Sequence, residues 1–116
     1  MAADRTRPNV PLPGQLLIER ERRADETVIC LYGELDLASY AVLEREVSEA
    51  AATSPARIAL DLDGLGFIDS TGLRALLEAH LRGTSDGFEL VLRRAPQQAR
   101  RLFEVTGMTD RLNIES

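Results

Sequence analysis

Lysine is absent: all 14 basic residues of this 116-residue chain are arginine. Chemistries that rely on a phosphate-steadying or Schiff-base lysine are therefore closed to it. Cysteine occurs once, as Cys30, which leaves no intrachain disulfide and no thiolate cluster for zinc. Inside the apolar run Val28-Ile29-Cys30-Leu31 it reads as a small buried hydrophobe. The sole histidine, His80, has no second ligand at useful spacing, so no metal site is expected. No stretch approaches the ~20 consecutive apolar residues of a spanning helix, which argues against a membrane partner. Met1-Ala2-Ala3-Asp4-Arg5 also lacks the apolar centre of a signal peptide, making the cytoplasm the expected location. A basic surface is missing too. The net charge of -5 and the pI near 4.9 argue against a nucleic-acid partner and for a protein one.

What is present fits one α/β domain. Residues 1–14 carry Pro8, Pro11 and Pro13 among small and polar neighbours, and read as a flexible N-terminal tail before a domain over 15–116. Short apolar runs at 16–21 and 27–32 flank a charged turn and predict an antiparallel hairpin at a sheet edge. Leu43, Val47, Ala50 and Ala51 recur at helical spacing within 38–52, and Pro55 ends that helix. Residues 57–62 read as the central, doubly covered strand before acids and glycines begin a loop. A second helix follows Asp69, with Leu73, Leu76, Leu77 and Leu81 inward and Arg74, Glu78 and Arg82 outward; Glu78 and Arg82 form an i,i+4 pair, and Gly83 ends it. A strand at 88–92, a helix from Pro96 to Gly107 and a short terminal strand at 112–114 complete the pattern. Strands alternating with helices imply a mostly parallel sheet with right-handed crossovers.

The chemistry concentrates at Asp69-Ser70-Thr71-Gly72, where strand meets helix. Each of the first three suits a helix start, so capping is one account of them. A serine hydrolase is excluded by geometry, because His80 lies ten residues along the same helix, roughly 15 Å away at 1.5 Å per residue. Asp61-Leu62-Asp63-Gly64 looks like the strand-end motif of haloacid-dehalogenase-type phosphotransferases with Asp61 as nucleophile. Leu65 stands where that family has threonine, however, and its lysine is missing. A response-regulator receiver lacks both its acidic pair and its lysine here.

Ile68-Asp69-Ser70-Thr71-Gly72-Leu73 resembles the signature of the anti-anti-sigma (anti-sigma factor antagonist) branch of the STAS domain family. Gly33-Glu34-Leu35-Asp36 is similar to that family's turn after the second strand, and Pro96, Arg101-Leu102-Phe103 and Thr106-Gly107-Met108 to its third helix and exit. The resemblance spans about residues 15–114. It implies a STAS fold: a mostly parallel mixed sheet of four to five strands with an antiparallel N-terminal edge hairpin and helices packed on it. It implies a binding protein, not an enzyme, without cofactor. Its phosphoacceptor would be Ser70, its partner an anti-sigma serine kinase of the Bergerat ATPase fold, and a separate serine phosphatase would reset it. Unphosphorylated, such a protein holds the kinase and frees a sigma factor.

The expected contact surface comprises Asp36, Tyr40, Asp69, Ser70, Thr71, Gly72 and Arg74. Asp36 orients the loop or meets the kinase, or else caps the first helix, and Gly72 admits either partner backbone or helix-to-strand packing. Tyr40 is a candidate aromatic anchor. Thr71 offers a second hydroxyl for modification. A constitutive scaffold, with Ser70 only a cap, is the competing non-enzymatic reading. Phosphate on Ser70 would add about -1.5 to -2 charges at a helix N-terminus, which tolerates an anion, while a partner packed there would not.

Overall fold

The computed structural model describes residues 11–115. Residues 1–10 of the expected tail lie outside them; Leu12 to Gln15 close a turn, with the Gln15 N–H donating to the Leu12 carbonyl at 2.9 Å. β1 (Leu16–Arg23) turns back through Ala24 and Asp25 to pair antiparallel with β2 (Glu26–Leu35). Then follow α1 (Tyr40–Ala51), β3 (Arg57–Ile68), α2 (Ser70–Asp86), β4 (Glu89–Arg93) and α3 (Gln97–Val105). Among the described residues the sheet runs β1-β2-β3-β4, with β2, β3 and β4 parallel. The expected terminal strand shrinks to a single parallel bridge between Leu92 and Ile114.

Both crossovers, β2 to β3 and β3 to β4, step across the sheet in one direction, so right-handed connections put α1 and α2 on the same face. On that face Ile29, Leu31, Ile58, Leu60, Leu90 and Leu92 meet Leu43 and Val47 of α1, Leu73 and Leu76 of α2, and Ala99 and Phe103 of α3. Among the described residues the other face carries no helix. Strand alternation and register place Glu19, Cys30, Asp61 and Arg93 there side by side, each exposed or half-buried. Cys30 is thus half-buried on an open sheet face and not a core residue, because the run around it is apolar on one side only. Burial, with the nearby Asp61 carboxylate second, pushes its thiol pKa up.

Several expectations about element ends need correction. β3 continues past Leu62 to Ile68, since two register shifts against β2 insert extra residues in β3. The buried residues consequently fall at Leu62, Leu65 and Ile68, every third position, and the missing alternation made the segment read as a loop. Gly33-Glu34-Leu35 belongs to the bulged end of β2, and the turn proper begins at Asp36. α2 runs through Gly83, which packs against Phe88, and stops at Gly87 in the left-handed region at φ 88°. Its buried side is Leu73, Ala75, Leu76 and Ala79, whereas Leu77 is half-buried and Leu81 is 51% exposed. Arg82 pairs with Asp86 at 3.0 Å, not with Glu78, and also donates to the Ser48 hydroxyl on α1.

Candidate functional site

β2 and β3 end side by side, with Leu35 in register with Ile68. Asp36 and Asp69 are the next residues of each strand, so the sheet brings two acidic turns to one edge. This is the carboxyl edge of the parallel strands, where open α/β sheets present their loops. The Asp69 N–H donates to the Leu35 carbonyl at 3.4 Å.

Each acid is occupied within its own turn. Asp36 Oδ1 accepts from the N–H groups of Ala38 at 3.0 Å and Ser39 at 3.2 Å, and the Ser39 hydroxyl donates to the Glu34 carbonyl at 2.8 Å. Asp36 therefore shapes the turn into α1, close to the capping role. Asp69 Oδ1 accepts from the Gly72 N–H at 2.9 Å and is the N-cap of α2. Gly72 is buried against β2: a Cβ there would lie 2.2 Å from the Leu35 carbonyl oxygen. The close approach that this glycine permits is internal, helix to strand, rather than at the surface.

This arrangement leaves Ser70 free of structural duty. It is the first residue of α2, exposed, and its hydroxyl makes no hydrogen bond to any of the described residues. Capping falls to its neighbour. Thr71 is half-buried beside it, and Arg74, one turn further, is exposed and has no ion-pair partner among the described residues. Tyr40 opens α1 half-buried and lines a groove between α1 and α2 with Leu43, Ala75 and Ala79. Two exposed apolar residues that the sequence pattern did not single out flank the same edge: Leu37, 77% exposed, just after Asp36, and Phe67, 39% exposed, two before Asp69. Their exposure is invisible in sequence because Leu37 sits in a turn and Phe67 on the bulged end of β3.

The rival nucleophile is tied up. Asp61 is gripped by Arg94, whose Nη2 lies 2.7 Å from Oδ2 and whose Nε lies 3.2 Å from both oxygens, and Asp63 lies 3.7 Å from the same guanidinium. A carboxylate held in a bidentate pair is a poor nucleophile, and these residues face the open sheet surface. Among the described residues no cluster of three or more His, Cys, Asp or Glu side chains is placed to hold a metal, and no helix is long and apolar enough to cross a membrane.

A four-stranded mixed sheet with helices on one face and an exposed serine heading the helix after the third strand defines a STAS domain. A family model described as "Mlab, STAS domain" matches residues 18–114. BtrV of Bordetella bronchiseptica is 32% identical over 80 residues, 69% of each chain. The anti-sigma-B factor antagonist of Listeria monocytogenes is 28% identical over 97 residues, 84% of this chain and 85% of its own. The crystal structure of an anti-sigma factor antagonist from Mycobacterium paratuberculosis superposes with a TM-score of 0.76 at 26% identity, covering 90% of this chain and 88% of that one. The chain belongs to the STAS domain family, on its anti-sigma factor antagonist branch.

Proposed function

We propose that this protein is a cytoplasmic antagonist of an anti-sigma factor: unphosphorylated, it binds an anti-sigma serine kinase of the Bergerat ATPase fold and so releases a sigma factor. Phosphorylation of Ser70 ends the binding. The kinase transfers the γ-phosphoryl group of ATP to Ser70 Oγ, ADP leaves, and the hydroxyl proton passes to a base of the kinase. A serine phosphatase restores the hydroxyl by hydrolysis: water attacks phosphorus, the Ser70 Oγ–P bond breaks, Oγ takes a proton and inorganic phosphate leaves. The chain itself is substrate and ligand, not catalyst.

The observation that carries this reading is the unengaged Ser70 hydroxyl at an exposed helix start whose cap is supplied by Asp69. The helix geometry survives modification because the cap is untouched and the N-terminus favours an anion. A partner seated on Asp36, Ser70, Thr71 and the outer side of α2 meets the new charge directly, with Leu37, Phe67 and Tyr40 supplying apolar contact nearby. Gly72 acts beneath that surface as the residue that sets the helix against β2. Like charges brought together at an interface cost several kcal/mol, and each 1.4 kcal/mol is tenfold in affinity.

Titration of the kinase with three forms tests the switch. Unmodified protein and Ser70→Ala should bind alike, phosphoprotein about 100-fold or more weaker, and Ser70→Glu in between because it carries one charge without phosphate geometry. Equal affinities throughout would leave a constitutive interaction module. Phosphate found only on Thr71 would move the site by one residue.

A further inference from the structure

Arg74 stands one helical turn beyond Ser70 on the outer surface of α2, exposed. Residues four apart on a helix are surface neighbours, about 5–6 Å between Cβ atoms. Helical side chains lean toward the N-terminus, so the side chain of Arg74 is long enough to reach the turn that begins at Ser70. Its surroundings leave it uncommitted. Arg82, two turns further along α2, is engaged by Asp86 and Ser48, whereas Arg74 meets no carboxylate among the described residues; of the arginines in that position, which include Arg22, Arg45, Arg101 and Arg111, it is the one on α2, one turn from Ser70. The first turn of α2 contains no acidic residue, and the carboxylate of its N-cap is already bonded to the Gly72 N–H.

From this we infer that Arg74 is the second half of the switch: in the unphosphorylated protein it pairs with a carboxylate of the kinase, and after phosphorylation it folds back onto the phosphate of Ser70. The inference rests on the phosphorylation of Ser70 proposed above. A phosphate monoester offers the acceptor oxygens that a guanidinium fork grips in charge-assisted bonds. Modification then does two things at once. It places an anion where the partner sits, and it withdraws the cation that the partner used. The same pair offsets the repulsion between the phosphate and the neighbouring Asp69.

The test uses the full chain carrying phosphoserine incorporated at position 70 during translation, so that no kinase is needed to prepare it. In ³¹P NMR the midpoint of the phosphate's second ionisation should lie about 0.3 to 0.7 pH unit lower in the otherwise native phosphoprotein than in the Arg74→Gln form, since a nearby cation favours the dianion. Arg74→Lys should restore part of the shift, and about 0.5 M salt should shrink it. In the unmodified state Arg74→Gln should weaken kinase binding by about 2- to 5-fold, the worth of one exposed charge pair at an interface rim. Equal ³¹P midpoints, or unchanged kinase affinity, would overturn the role of Arg74. Should the native phosphoprotein bind the kinase as tightly as the unmodified chain, the switch at Ser70 fails instead; the ³¹P comparison, which involves no kinase, separates the two failures.

Discussion

Asp69, Ser70 and Gly72, within four residues at the start of α2, have sharply different jobs, and single substitutions should separate them. At Gly72 there is no room for a side chain, because the added Cβ would meet backbone, the Leu35 carbonyl, which cannot swing aside. Gly72→Ala should therefore cost about 1–3 kcal/mol in urea unfolding through displacement of the helix start. Asp69→Ala should cost about 1 kcal/mol for the lost cap, while Ser70→Ala should leave the unfolding midpoint where it is, its hydroxyl having no partner. A Ser70→Ala loss as large as that of Asp69→Ala would mean that Ser70 shares the cap, and would weaken its assignment as a free phosphoacceptor.

At the scale of elements, α2 divides into an inner and an outer stripe, and the leucines fall on both. Leu76 is fully buried against the sheet, whereas Leu81 is 51% exposed and shares the outer surface with Ser70 and Arg74. Leu76→Ala should cost about 2–5 kcal/mol of stability. Leu81→Ala should stay within about 0.5 kcal/mol of the parent and should instead weaken kinase binding, if the partner runs down the outer stripe from Ser70. Half-buried Leu77 belongs between them. Thermal unfolding and kinase titration of the same two variants distinguish stability from recognition, and a large stability loss at Leu81 would contradict the outer placement.

For the molecule as a whole, the consequence of one-directional crossovers is a sheet covered on one side by helices and, among the described residues, on the other by polar side chains of its own strands. Val28, Ala59 and Val91 lie on that open side and are nonetheless buried. The cover is a charge lattice: Arg93 of β4 reaches Glu26 of β2 at 2.6 Å, an ion pair without hydrogen-bond alignment that spans β3 above Ala59, and meets Glu115 at 2.8 Å. Arg57 and Glu89 pair at 3.1 Å in the neighbouring row. The aliphatic stem of Arg93 shields apolar surface as well as carrying charge. Arg93→Ala should thus lower stability by about 1 kcal/mol at low salt, and the loss should shrink at high salt only by the electrostatic part. No change at either ionic strength would show that the lattice is ornamental.

The sequence by itself determined the order of elements and the residue chemistry of the segment from Asp69 to Gly72, because both are local. Period-2 and period-3.6 patterns, Pro55, and the run Asp69-Ser70-Thr71-Gly72 depend on neighbours within a turn or two. It also excluded lysine-dependent chemistry, an intrachain disulfide and a thiolate cluster, since composition needs no fold. Tertiary structure alone decided the rest. Two bulges against β2 turned a Gly-rich stretch into the end of β3, with burial at every third residue, a spacing no isolated strand shows. Packing of α2 between α1 and the sheet selected Ala75 and Ala79 for the interior and turned Leu81 outward, because small residues let helices approach and a leucine there has nothing to cover it. The parallel register of Leu35 with Ile68, a pairing between residues far apart in the chain, brought the Asp36 and Asp69 turns to one edge, and only that juxtaposition makes Ser70 part of a surface rather than the first residue of a helix.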